Sequence, residues 1–148
     1  MSTHIDESIE IARPAGDVAR YMFDWRNDTE WIGGILAARL LGDGDFGLGS
    51  QVERVASLVG KRIEYVLEVE DYEPGALLAM RSVRGPFPMA VTYEVTDNRG
   101  GARARVQVEG DASGFYRLAG PLLNLQATRS IAADLKRLKA LLEGPEAA

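Results

Sequence analysis

Residues 115–143 read FYRLAGPLLNLQATRSIAADLKRLKALLE. Within this stretch Phe115, Leu118, Leu122, Leu125, Thr128, Ile131, Leu135, Leu138 and Leu142 follow one another at steps of three or four. That spacing draws a single apolar stripe down one side of a helix, so the segment predicts a long helix lying on another apolar surface. Pro121 interrupts the pattern: a proline inside a helix removes a hydrogen bond and clashes with the preceding turn. A short turn at 115–119 and a kink before the main helix are therefore expected. Gly144-Pro145 ends the helix, and Glu146-Ala147-Ala148 should be frayed.

The surface that such a helix needs is supplied upstream. Between residues 34 and 113 no helical stripe occurs, and turns containing glycine separate runs of alternating residues. The turns are Gly42-Asp43-Gly44-Asp45, Gly60-Lys61, Glu73-Pro74-Gly75, Gly85-Pro86 and Asp97-Asn98-Arg99-Gly100-Gly101. Six strands between them make a meander of hairpins. Alternation assigns faces: Ile63, Tyr65, Leu67 and Val69 share one, while Arg62, Glu64, Glu68 and Glu70 mostly share the other. By the same argument Phe87, Met89, Val91, Tyr93 and Val95 point inward, as do Ala102, Ala104, Val106, Val108 and Gly110.

Ahead of the meander, residues 5–11 alternate and end in Ile9-Glu10-Ile11, a first strand stopped by Arg13-Pro14. Val18, Ala19, Tyr21, Met22 and Phe23 have helical spacing. A second helical turn is expected at residues 27–31, with Asn27 or Asp28 as its N-cap.

A chain of 148 residues fits one domain, 1–148, and can bury a core without a disulfide or a metal. It has no cysteine, which excludes thiol catalysis and thiolate metal sites and fits a reducing compartment. His4 is the sole histidine, so metal sites built on imidazoles and histidine-activated nucleophiles are closed off, and no cofactor is expected. A net charge of −5, with the basic residues scattered among acids, argues against nucleic acid as a partner. The first residues lack a basic stretch followed by an apolar one, and no run of about 20 apolar residues is present to cross a bilayer. A soluble cytoplasmic protein, monomer or homodimer, is the expectation.

Strand, two short helices, six-stranded meander and long helix is the element order of the helix-grip fold. The chain resembles the START-related ligand-binding superfamily (SRPBCC), in particular its bacterial polyketide cyclase/dehydrase-like branch. The resemblance rests on Glu7-Ser8-Ile9-Glu10-Ile11 followed by Pro14 and Val18, the spacing of Asp24 and Trp31, and Gly49 opening a strand. Val69-Glu70-Asp71-Tyr72-Glu73-Pro74, Gly85-Pro86-Phe87 and Asp134-Leu135-Lys136-Arg137-Leu138-Lys139 extend it over nearly the whole chain. It implies an α+β fold in which a curved antiparallel sheet of about seven strands wraps around the C-terminal helix. It also implies a cavity between them for a sterol, lipid, quinone or aromatic polyketide. The matching motifs mark turns and core positions, and no catalytic signature carries over.

Arg54 stands out among candidate site residues because it shares a face with Val52, Ala56 and Leu58. A cation facing a pocket needs a partner, and there it can hold a ligand carboxylate, phenolate or enolate. The alternative is a buried stem that carries the guanidinium to water or to a surface acid. Tyr65 and Tyr93 face inward, either as ligand contacts or as core phenols bonded to backbone. Trp31 falls where the short helices close the pocket in this superfamily, again as ligand contact or core. Leu67, Phe87, Met89, Leu118 and Leu122 complete the expected lining. Arg81 is expected outward, and Arg129 at the surface or the pocket edge. Residues 42–49, GDGDFGLG, lack the ending of a phosphate-binding loop. Arg54 also stands where a calcium loop starting at Asp43 needs a glutamate, so a hairpin at the pocket mouth is expected instead.

Three functions fit these residues: binding of a hydrophobic small molecule, a cyclase, aromatase or dehydratase acting on a polyketide-like substrate, and a protein-interaction accessory module. The cyclase reading would have Tyr65 or Tyr93 move protons and Arg54 stabilise enolate charge.

Overall fold

The computed structural model describes residues 3–58, 60–111 and 120–144. Strand β1 (Thr3–Ile11) leads into α1 (Ala15–Met22), a 3-10 turn (Trp25–Asn27) and α2 (Asp28–Trp31). Strands β2 (Ile35–Leu41), β3 (Gln51–Leu58), β4 (Lys61–Glu73), β5 (Leu77–Arg84), β6 (Met89–Asn98) and β7 (Gly101–Gly110) follow in series. The long helix α3 (Gly120–Glu143) comes last among the described elements.

The strands form one antiparallel sheet in the order β1-β7-β6-β5-β4-β3-β2. Hairpins join β2 through β7, and β1 pairs along its whole length with β7, from Thr3 opposite Gly110 to Ile11 opposite Ala102. Register shifts between Val66 and Leu67 and between Val69 and Asp71 place bulges in the 13-residue strand β4. Bulges bend a strand and increase its twist, which curves the sheet around α3. In the β6–β7 hairpin Arg99 and Gly100 have φ of 54° and 89°. Two successive positive values are the backbone of a primed two-residue turn, whose twist matches that of the strands it joins.

Alternation governs burial as the sequence predicts. Ile63, Tyr65, Leu67 and Val69 of β4 and Val91, Tyr93 and Val95 of β6 are buried, together with Ala102, Ala104 and Val106 of β7. They meet Val18, Ala19 and Met22 of α1 and Leu135, Leu138 and Leu142 of α3 in one apolar cluster. Arg81 points outward and pairs with Glu70 at 3.3 Å. The outer face carries further exposed pairs such as Arg39 with Glu53 and Arg105 with Asp6 and Glu94. Such pairs contribute little individually but keep the face wet.

Helix α3 follows the sequence expectation along its C-terminal half, where Leu135, Leu138 and Leu142 are buried. It is described from Gly120 onward, so the kink expected before the main helix falls at the edge of the described residues. Leu125, read as part of the apolar stripe, is 48% exposed, and among the described side chains of α3 Ile131 is the first that packs against the core cluster. Phe115, Leu118 and the turn expected at 115–119 lie outside the described residues.

Candidate functional site

Arg54 alternates inward with Val52 and Ala56 on β3, and its side chain is only 5% exposed. Its guanidinium meets a buried acid, Asp28. Nε donates to Asp28 Oδ2 at 2.9 Å, and Nη2 lies 2.9 Å from the same oxygen and donates to the Tyr93 hydroxyl at 3.1 Å. Nη1 has no hydrogen-bond partner among the described residues. Asp28, the first residue of α2, is itself buried, with a side chain 3% exposed.

The helix turn was expected to be capped by Asn27 or Asp28, and neither side chain does so. Asp24 caps the 3-10 turn, its Oδ1 accepting from the Arg26 N–H, while Asn27 donates to the Tyr21 carbonyl. Asp28 is thereby free to turn inward onto Arg54. Burial pushes the Asp28 carboxyl above its ordinary value, an increase that the facing guanidinium holds back without cancelling. Burial alone would depress the Arg54 guanidinium, but the Asp28 charge and the Tyr93 and Tyr65 phenols beside it outweigh that effect and keep it charged. Burial likewise pushes the Tyr93 phenol up to about 12.

Tyr93 is fixed by rings as well as by Arg54. Trp31 packs edge-on against it at 5.5 Å between centroids, and Phe23 stacks on it at 6.5 Å. Trp31 is 1% exposed, and its Nε1 is the one buried side-chain polar atom among the described residues with no hydrogen-bond partner. A buried donor without an acceptor is costly.

These side chains wall a cavity of about 220 Å³ between the sheet and α3. Trp31, Arg54, Tyr65, Phe87, Met89 and Tyr93, expected from sequence, all contribute to it, and α3 adds Ala127, Ser130 and Ile131. Tyr65 stands directly across from Arg54 on β4. Gly85 makes room for Tyr65: a side chain there would place its Cβ 2.8 Å from that of Tyr65, and φ is +152°. Asp134, at the rim of the cavity, accepts from the Gly33 N–H at 2.9 Å and from Arg137 at 3.2 Å, and Arg137 also donates to the Trp31 carbonyl at 2.9 Å. This clasp ties α3 to the chain after α2. Burial raises the Asp134 carboxyl above its ordinary value, against the pull of the Gly33 N–H and Arg137.

Leu67 is not part of the wall. It shares a face with Tyr65, but two residues further along β4 the space is filled by core side chains and Leu67 is wholly buried. Leu118 lies outside the described residues, and Leu122 belongs to α3 without a described side chain. The glycine-rich loop 42–49 does not sit at the cavity mouth. Its Phe46 packs edge-on against Tyr72 at 5.4 Å, beside a separate cleft lined also by Phe23 and Trp25. Arg129 is exposed on α3. Sequence reasoning missed Asp28, because an acid beginning a helical turn reads as a cap. The available signal was Arg54 itself, whose inward position demanded a buried acid.

Among the described residues no cluster of three His, Cys, Asp or Glu side chains is placed to hold a metal, and no helix is long and apolar enough to cross a membrane. The family model for polyketide cyclase/dehydrase and lipid transport proteins matches residues 2–143. No curated protein matches in sequence. Solved structures do. A START superfamily protein from Mycobacterium smegmatis superposes with a TM-score of 0.80 at 14% identity, covering 95% of this chain and 97% of its own. The Zhui aromatase/cyclase of a Streptomyces species gives 0.77 at 17% identity, over 97% and 94%. A Thermus thermophilus protein gives 0.77 at 17%, over 92% and 94%. At these identities the likeness is one of fold, and the fold is the helix grip.

Proposed function

Since the chain belongs to the family of polyketide cyclase/dehydrase and lipid transport proteins, we propose that it binds a compact hydrophobic molecule in the cavity between the sheet and α3. A lipid, a quinone or an aromatic polyketide-like compound fits this class. The observation that carries the reading is a cavity walled mainly by apolar side chains in which one guanidinium is held charged by Asp28 and still has donors to give. Arg54 would donate to a ligand oxygen, and Tyr65 stands ready as a further donor. A volume of about 220 Å³ is below the range of roughly 300–1,000 Å³ usual for drug-sized ligands and favours a molecule of a few rings. Native mass spectrometry of the purified protein, with extraction and identification of whatever leaves with it, tests this. A bound lipid, quinone or aromatic compound is the expected result. An empty protein that also ignores a panel of hydrophobic dyes would overturn it.

One observation favours a second reading, cyclisation or dehydration of a polyketide-like chain: a guanidinium and two phenols share the cavity. Tyr93, pushed up to about 12, gives up a proton poorly near neutral pH and is already tied to Arg54, while Tyr65 stands across from Arg54 with its hydroxyl available to the substrate by position. Turnover of a poly-β-ketone that collapses in Tyr65→Phe while ligand affinity persists would support it. Absence of turnover in the unaltered protein would leave binding alone.

A further inference from the structure

We propose that the Asp28–Arg54 pair is the floor of the ligand cavity, so that the site takes molecules whose acceptor oxygen is terminal and rejects those with a substituent beyond it. The proposal rests on the binding reading above and adds the orientation and the chemical class. It begins with three spaces strung in a row. Arg54 and Tyr93 line the apolar cavity of about 220 Å³ and also a void of about 10 Å³ behind it, which Asp28 lines too. Phe23, Trp25 and Phe46 line that void and also an open cleft of about 610 Å³ on its far side. The void holds one water at most. The ion pair with its Tyr93 bond is therefore the partition between the cavity and the void, and Phe23, Trp25 and Phe46 separate the void from the cleft.

That partition is stiff. Both charged side chains are 5% exposed or less, and three short contacts hold them. Pushing either aside strands a buried charge, so a ligand does not pass through. The donors that Arg54 still offers sit on this floor, hence the oxygen enters first and the apolar remainder lies back toward the mouth beneath α3. A phenol, a carboxylate or a terminal carbonyl fits this arrangement. An ether or ester oxygen does not, because its outer alkyl group would have to occupy the place of the ion pair. With the pair removed, the same alkyl group has the space of the pair and the void behind it to enter, and past the rings of Phe23, Trp25 and Phe46 the cleft beyond.

The test uses 2-naphthol and its methyl, propyl and hexyl ethers, with affinities measured by calorimetry or dye displacement. The unaltered protein should bind 2-naphthol and lose at least tenfold in affinity on each of the first two extensions. In Asp28→Asn/Arg54→Ala, which leaves no unpaired charge, 2-naphthol should weaken while the hexyl ether gains tenfold or more, so that the order of preference reverses. Asp28→Asn/Arg54→Met, in which a flexible thioether softens the floor without opening a hole, should shift the ratio in the same direction by less. A folded variant that keeps the original order, or an unaltered protein that binds naphthol and its ethers equally, overturns the floor. An unaltered protein that binds none of the four overturns the binding reading instead.

Discussion

Arg54 and Asp28 are a pair whose value lies in mutual compensation. Removing one partner of a buried ion pair leaves an uncompensated charge and typically costs about 3–5 kcal/mol, whereas replacing both can be nearly neutral. Arg54→Met should therefore lose about that much stability by urea denaturation, and Asp28→Asn/Arg54→Met should recover most of it. Equal instability of the single and double variants would mean that Arg54 serves through packing and not through its charge. The sequence shows half of this arrangement. Parity along β3 places Arg54 inward, because alternation is a property of the strand itself. Its partner lies 26 positions earlier in a four-residue helix, where local pattern says nothing of which way an acid turns. The same limit explains Leu67. Parity says which face a side chain takes, not how far along that face a cavity extends.

At the scale of elements, the contact that deserves a test is the clasp between α3 and the chain after α2, since it sets one edge of the cavity. Asp134 Oδ1 receives both the Gly33 N–H and the Arg137 side chain, and burial raises the carboxyl above its ordinary 3.8. A carboxyl whose folded pKa is raised contributes stability that is full below its unfolded pKa and is lost as pH rises through the folded value. The unaltered protein should therefore lose stability relative to Asp134→Asn as pH rises from 3.8 upward, with the difference levelling above the raised value. The asparagine amide oxygen still accepts from Gly33, so the clasp survives in the variant. A stability difference that does not change with pH between 3 and 7, on the order of the usual carboxyl range, would show that Asp134 titrates normally. Helix α3 also shows why its stripe was only partly readable. Periodicity identified the face that Leu135, Leu138 and Leu142 bury, but the stripe continues to Leu125, beyond the part that packs on the core.

For the whole molecule, the fold and the cavity are linked through the curvature of the sheet. The meander was legible because glycine-containing turns and two-residue alternation are local signals. The cavity was not, since it is the space left when bulged β4, α2 and α3 meet. An apolar cavity of about 220 Å³ left empty forfeits packing, and a molecule that fills it stabilises the folded state by mass action. At a ligand concentration near 100 times Kd the gain is about 2.7 kcal/mol. For a chain of this size that corresponds to a rise in Tm of roughly 5–10 °C. Ala127 projects into the cavity from α3, so Ala127→Phe should occupy the space with the protein's own ring. The variant should melt at or above the temperature of the unaltered protein without ligand, and lose the ligand-induced rise. If Ala127→Phe melts normally yet keeps the full rise, the ligand is bound elsewhere, and the cleft beside Phe46 and Tyr72 becomes the place to look.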